Sequence, residues 1–227
     1  MGSAWLAGGA FTASPGAVHT SGVWHSPDTN VRVVRDGTVH AVVAGVCRSD
    51  AAAVRRVARA VAAGRTEKAT SLGGSYWLIV HDDDAQRTVV AGDLAESRGV
   101  FTAATDRGPV WATDAALLAK QLGHSPDLPL LAARITIGSA EHWPDRSVWE
   151  GVQRVPGGQA LVLDHGTART VDVRPRPDGR TIKTGAAEVG EALWTAVQGY
   201  ARDAGPLVSA DLSGGLDSST VVMPPPR

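Results

Sequence analysis

The chain has 227 residues, and its 22 basic and 23 acidic side chains leave a net charge of −1. Because neither sign of charge dominates, a general nucleic-acid or membrane-surface binder is excluded. The single cysteine, Cys47, excludes an intrachain disulfide framework. No apolar run approaches the ~20 residues that span a bilayer, and the N-terminus lacks the basic segment of a secretion signal. The sequence therefore predicts a cytoplasmic protein with no nucleic-acid and no membrane partner.

The first part of the chain predicts a domain rich in strands. Apolar or β-branched runs predict strands at residues 4–7, 31–34, 39–46, 76–80, 88–91, 100–103 and 110–112. Ser49 or Asp50 can cap a helix that continues to about Ala63, and a second helix is predicted over residues 114–122. Strands outnumber the helices that lie between them, which indicates an α+β domain with packed sheets.

A change of composition predicts a linker. Residues 175–184 are rich in proline, glycine and charged side chains, which break regular structure. A helix is predicted beyond them over residues 186–202, because apolar residues recur at spacings of three and four: Val189, Leu193, Val197 and Tyr200. Such a helix is typical of one that lies on a sheet. We predict a first domain over residues 1–174, a linker over 175–184, and the start of a nucleotide-binding domain over 185–227.

A glycine- and hydroxyl-rich loop follows a strand predicted at residues 207–212. Gly214 and Gly215 lack Cβ atoms, so the backbone can bring successive N–H groups against an anion. Three hydroxyls add donors, and the helix that follows presents its positive end. Asp217 would be repelled by phosphate unless a divalent cation lay between them, so we predict it as a magnesium ligand. The alternative is a glycine-rich turn after a buried strand.

The segment Ser213-Gly214-Gly215-Leu216-Asp217-Ser218-Ser219 resembles the pyrophosphate-binding loop of the asparagine synthetase family. In that family the loop binds ATP and helps to form an acyl-adenylate. The resemblance implies that ATP is bound by Leu212, Ser213, Gly214, Gly215, Leu216, Asp217, Ser218 and Ser219. It also implies Mg²⁺ as the ion held by Asp217.

Four earlier segments resemble the amidotransferase-like half of the same family. They are residues 72–78, 92–101, 111–118 and 152–160, in the order that the family has them. The implied fold is an αββα sandwich of the Ntn amidotransferase-like type, followed by the first elements of an α/β PP-loop nucleotide-binding domain.

The catalytic pattern of that half is where the chain departs from the family. Glutamine-hydrolysing members use an N-terminal cysteine, whose own amino group is the base for its thiol. This chain opens Met1-Gly2-Ser3, so we expect no catalytic residue in the amidotransferase-like domain. Cys47, at the end of a valine-rich strand, is expected to be a small buried residue.

Without a glutaminase, the resemblance favours relatives that use an amine of their own substrate. Lasso-peptide macrolactam cyclases and β-lactam synthetases are such relatives, and we expect the lasso type; asparagine synthesis from free ammonia is the alternative. The implied partners are a small-molecule or precursor-peptide substrate and a precursor-processing protease.

Two further expectations concern the end of the chain and a polar turn. Family members continue for a few hundred residues beyond the loop, so a chain that ends at Arg227 after three prolines is expected to be inactive alone. A non-catalytic fragment or peptide-binding module is the alternative of another class. The segment His81-Asp82-Asp83-Asp84 is expected to be a hairpin turn rather than a metal cluster.

Overall fold

The structure is a computed structural model that describes residues 4–13, 15–138, 142–175, 179, 181–206, 208–211 and 213–222. The chain divides into two compact units, Met1–Arg174 and Pro175–Arg227. Over the described residues it contains twelve β-strands in two antiparallel sheets and five α-helices, which is a mixed α+β protein. None of the described helices is long and apolar enough to cross a membrane.

All twelve strands belong to the first unit. They are β1 (Leu6–Gly9), β2 (Val18–Thr20), β3 (Val23–His25), β4 (Val31–Asp36), β5 (Val39–Cys47), β6 (Gly74–Asp82), β7 (Arg87–Ala91), β8 (Phe101–Thr105), β9 (Gly108–Ala112), β10 (Gln153–Arg154), β11 (Gln159–Asp164) and β12 (Thr167–Asp172). The first sheet has the order β10-β8-β9-β1-β3-β2, and the second has the order β12-β11-β7-β6-β5-β4. Every neighbouring pair is antiparallel.

The helices of the first unit are α1 (Ala51–Ala62), α2 (Ala115–Leu122) and α3 (Leu128–Ile137), with a 3₁₀ helix at Thr66–Thr70. Asp50 caps α1, because its side chain accepts a hydrogen bond from the Ala53 N–H at 2.7 Å. The cap is thus Asp50 and not Ser49. The strand and helix predictions for residues 31–46, 76–91 and 100–122 are confirmed to within a few residues.

Alternation along the strands of the second sheet places apolar side chains on both of its faces. On β5, Ala41 and Val43 belong to a buried cluster with Val54 and Val61 of α1. Val42, the residue between them, belongs to a second cluster that includes residues of both sheets. Because successive side chains of a strand point to opposite faces, β5 is buried on both sides.

The first sheet is also covered on both faces. Trp111 of β9 lies in the cluster between the sheets, whereas its neighbours Val110 and Ala112 lie in a third cluster with Leu118 and Ala119 of α2. Helices therefore cover the outer faces of both sheets. The layers of the first unit follow the order helix, sheet, sheet, helix.

The second unit contains α4 (Ile182–Ala204) and α5 (Leu216–Val222). Helix α4 begins inside the predicted linker, because the Thr181 side chain accepts from the Thr184 N–H at 3.2 Å and caps it. The strand predicted at residues 207–212 is wrong for residues 208–211, which form no strand; Leu207 and Leu212 lie outside the described residues. A strand is stabilised by pairing with a neighbour, and the described residues of this unit offer none.

Candidate functional site

The predicted phosphate loop leads into α5, and its hydroxyls bond to one another. The Ser213 and Ser218 Oγ atoms are 2.9 Å apart, and the Ser213 N–H donates to Ser218 Oγ at 3.2 Å. The Ser219 hydroxyl donates to the Gly215 carbonyl at 2.8 Å. Gly214 has a φ of 80°, in the left-handed region that glycine adopts without steric cost. The loop thus brings three hydroxyls and a left-handed glycine together; Leu212 lies outside the described residues.

Asp217 lies in the first turn of α5 and is exposed. An acidic side chain is favourable at this end of a helix even without a metal, because it faces the positive end of the peptide dipoles. Among the described residues no group of three His, Cys, Asp or Glu side chains could hold a metal ion. Magnesium, however, is usually held by one or two carboxylates together with substrate phosphates. This donor set suits a magnesium–nucleotide complex and not an ion caged by protein.

Cys47, the only cysteine, ends β5 and is half-buried, and it packs against the core cluster that includes Ala41 and Val54, so the expectation of a small buried residue is confirmed in part. Its thiol accepts a hydrogen bond from Arg32 Nη2 at 3.1 Å, and the same guanidinium donates to the Ser49 carbonyl at 2.8 Å. Arg32 therefore ties the end of β5 to the segment that enters α1. Residues Met1, Gly2 and Ser3 lie outside the described residues.

A polar cluster that the sequence analysis did not identify lies where β6 begins and β7 ends. This Asp93 cluster consists of Ser75, Asp93, Ser97 and Arg98. The Ser75 hydroxyl donates to Asp93 Oδ2 at 2.7 Å and accepts from Arg98 Nε at 3.0 Å. Asp93 also accepts from the Ser97 hydroxyl, and from the Arg98 N–H at 3.1 Å. The Arg98 guanidinium lies 4.7 Å from the centre of the Trp77 ring, a cation–π contact.

Opposing effects act on the pKa of Asp93. Partial burial raises it, whereas hydrogen bonds from the Ser97 and Ser75 hydroxyls and from the backbone N–H groups of Arg98 and Ser97 lower it, and the lowering prevails. Nearby, burial raises the pKa of Tyr76 to about 12, and its hydroxyl donates to the Ala69 carbonyl at 3.0 Å. The Asp93 carboxyl is thus stabilised as an anion, and the Tyr76 phenol stays neutral.

The Asp93 cluster fixes the loop between β7 and β8. A Cβ atom on Gly92 would lie 2.0 Å from the Arg98 carbonyl oxygen, and Glu96 of the same loop forms an ion pair with Arg154 at 2.8 Å. The space enclosed here is only about 10 Å³, too small for a substrate. The Asp93 cluster therefore ties the resembling segment 92–101 to β6, and the Glu96–Arg154 ion pair ties it to the resembling segment 152–160. Gly92, just before Asp93, and Gly157 and Gly158, just before β11, were the signal that could have revealed it.

The hairpin turn predicted at His81-Asp82-Asp83-Asp84 is confirmed. Asp82 Oδ1 accepts from the N–H of Asp84 at 3.2 Å and of Ala85 at 3.3 Å, a side-chain cap for the turn. Asp83 lies 2.8 Å from His40 Nε2 and 3.1 Å from His81 Nε2. The two histidines are direct neighbours across β5 and β6, and one carboxylate joins them.

No family model matches this sequence, and no curated protein is significantly similar to it.

Proposed function

We propose that this chain is an asparagine-synthetase-like ligase that uses ATP to form an amide bond through an acyl-adenylate. We further propose that it takes the amine from its own substrate, as a lasso-peptide macrolactam cyclase does. The observation that carries the proposal is the loop of residues 213–219, which holds the hydroxyls of Ser213, Ser218 and Ser219 together with a left-handed Gly214. Hydroxyls and backbone N–H groups in this arrangement are donors for a pyrophosphate group.

The layers of the first unit support the same proposal. Their order of helix, two sheets and helix agrees with the Ntn-type αββα sandwich that the resemblance implies. The resembling segments also occupy defined positions in it: residues 72–78 start β6, residues 92–101 form the loop braced by Asp93, and residues 152–160 lead into β11. The likeness of sequence is thus accompanied by a compatible arrangement of elements.

In the proposed reaction the residues of the loop bind and orient the nucleotide. Bound magnesium–ATP would supply the adenylyl group that activates a substrate carboxylate, with pyrophosphate as the leaving group. The Ser213 and Ser218 hydroxyls, which bond to each other in the structure, would turn their donors to phosphate oxygens. Asp217 would hold the cation, and the cation would offset the negative charge of the phosphates.

The proposal about the source of the amine rests on Cys47. Its thiol lies at a strand end and accepts a hydrogen bond from the Arg32 guanidinium, a group with donors only that cannot act as the base for the thiol. We therefore propose that the first unit does not hydrolyse glutamine. The amine then comes from the substrate, with free ammonia as the alternative source.

The experiment compares Asp217→Ala with Asp211→Ala, a matched exposed acid just before the loop. ATP–pyrophosphate exchange is measured with the product of the complete reading frame that encodes these residues, with aspartate and candidate precursor peptides as acyl substrates. Loss of a cation ligand should lower exchange at least about a hundredfold in Asp217→Ala, whereas Asp211→Ala should stay near wild type.

A second readout separates binding from chemistry. Calorimetry with ATP in the presence and absence of Mg²⁺ should show magnesium-dependent binding to wild type, and Asp217→Ala should lose that dependence while its circular dichroism is unchanged. Equal exchange in both variants would remove Asp217 from the site. A wild-type protein that neither exchanges pyrophosphate nor binds ATP would overturn the proposed function.

A further inference from the structure

A groove of about 370 Å³ opens in the first unit between the β8–β9 hairpin and the β11–β12 turn. We call it the edge groove, because an edge of each sheet reaches it. Its walls carry only small or neutral side chains, among them Thr102, Ala104, Thr105, Gly151, Gln153 and Ala168. Among the residues that the structure describes, none of those that line it is charged. A phosphate, a nucleic acid or an ionic partner would therefore find no counter-charge there.

The hydrogen-bond pattern of β8 leaves one residue open toward the groove. In an antiparallel pair, residues alternate between bonding to one neighbour and pointing to the other side. The Val155 N–H donates to the Val100 carbonyl at 2.9 Å, and Gln153 pairs with Thr102, so even-numbered residues of β8 point away from β9. Ala104 is the next residue in this series. It is exposed. It pairs with Pro109 of β9 at a position where an antiparallel ladder has no backbone hydrogen bond between the two residues.

Strand β10 ends before it reaches Ala104. It has two residues, Gln153 and Arg154. If the ladder continued in the same register, Gly151 would pair with Ala104. Gly151 instead has a φ of 68° and turns the chain away from β8. Within the described part of the chain, the Ala104 N–H and C=O groups thus have no strand beside them.

The opposite wall of the groove is a second open edge. Strand β12 is the outermost strand of the second sheet. The Val173 N–H donates to the Gly158 carbonyl at 2.8 Å, which sets the alternation along the β11–β12 pair. By that alternation the backbone groups of Ala168 and Thr170 point away from β11. The groove is therefore flanked by unpaired backbone groups on both sides.

We propose that the edge groove binds an extended peptide segment, which adds as a short strand beside Ala104 of β8. An exposed sheet edge offers a donor and an acceptor that only another backbone satisfies together, and peptides bind many proteins by adding a strand in this way. The small side chains that line the groove leave room for the side chains of such a segment. Because the lining carries no charge, the backbone supplies most of the recognition, and small or β-branched residues are accepted opposite Ala104.

The groove lies wholly in the first unit, so this inference does not depend on the phosphate loop. A peptide bound there keeps its place whether or not the chain is a ligase. If both proposals hold, the segment in the groove belongs to the peptide substrate.

The test uses the 227-residue chain, a pool of random heptapeptides and the variant Ala104→Pro. Proline removes the outward N–H of residue 104 and leaves the bonds to β9 intact, since Ala104 makes none with Pro109. The wild-type protein should bind and enrich certain peptides from the pool, and the Ala104→Pro variant should not enrich the same peptides. The enriched peptide should shift the amide resonances of Ala104 and Ala168, and Ala104→Pro should bind it at least about fivefold more weakly.

Two controls make the result decisive. The enriched peptide, N-methylated at the amide that donates to Ala104, should lose affinity as the protein variant does, and circular dichroism should show that Ala104→Pro stays folded. Equal enrichment by both proteins, or shifts confined to α3 or β4, would overturn the proposal. Sedimentation showing a wild-type dimer that Ala104→Pro abolishes would do the same, because a second copy would then occupy the edge.

Discussion

The Asp93 cluster makes a prediction about stability that can be worked from its hydrogen bonds. Asp93→Ala removes the acceptor of the Ser75 hydroxyl, the Ser97 hydroxyl and the Arg98 N–H. A hydrogen bond to a charged group contributes about 1.5–3 kcal/mol. Asp93 is only half-buried and Ser97 is exposed, so water replaces part of what is lost. We expect the free energy of unfolding of the first unit to fall by about 2 kcal/mol at neutral pH.

The same cluster predicts how that loss depends on pH. The pKa of Asp93 is lowered in the folded protein, so its contribution is present above the unfolded pKa of about 3.9 and is lost as the pH falls through the folded value. Asp93→Asn, which keeps the shape but cannot ionise, should therefore differ most from wild type near neutral pH, and the difference should shrink below about pH 4.

Urea unfolding, followed by tryptophan fluorescence from neutral to acid pH, measures both effects. Asp106→Asn is the matched control, because Asp106 is an exposed carboxyl in the β8–β9 turn, and its change should stay within about 0.5 kcal/mol. If the gap between wild type and Asp93→Asn were the same at neutral and acid pH, the carboxylate would not be the group that stabilises the loop, and the reasoning would fail.

Three further predictions follow from single residues. Purified protein should release no ammonia from glutamine; turnover that a thiol-directed reagent abolishes would contradict this and implicate Cys47. Gly8→Ala should lower the stability of the first unit by about 1–3 kcal/mol in urea unfolding, because the new Cβ would lie 2.7 Å from Nε1 of the buried Trp111. Gly190→Ala, inside α4, meets no atom within 4 Å and should instead increase hydrogen-exchange protection of α4 amides; unchanged exchange would contradict it.

Strands buried on both faces could be predicted because their residues are uniform. The run from Val39 to Val46 contains four valines and two alanines, and β5 spans it with apolar side chains on both faces. Strand β12 was missed because it lies at the edge of its sheet. Its sequence, Thr-Ala-Arg-Thr-Val-Asp, is largely exposed and resembles a polar loop. A buried strand has an apolar sequence that can be recognised, whereas an exposed edge strand has few apolar residues.

Helix α3 was missed for the opposite reason. Its sequence from Leu128 to Ile137 is apolar on nearly every side, so no amphipathic period indicates a helix. Leu128 and Ile135 are 66% and 76% exposed, although a period-based prediction places such residues in a core. Its start does follow local rules, because Asp127 accepts from the Leu130 N–H at 3.0 Å and a proline occupies the first turn.

The proposed phosphate loop and the Asp93 cluster differ in what fixes their geometry, and that difference decides which of the two can be predicted from a sequence. The contacts of the loop join residues at most five positions apart, such as Ser213 with Ser218. The arrangement is therefore determined by a short segment of sequence. Asp93 meets Ser75 across 18 residues, and Arg98 meets Ser75 across 23, because β6 and β7 are neighbours in a sheet. Local chemistry therefore predicts a ligand loop, whereas the cluster that braces the fold becomes visible only once the strands are paired. The same reasoning explains residues 208–211: they were predicted as part of a strand from the local sequence alone, but β5 has neighbours on both sides, and a strand depends on them.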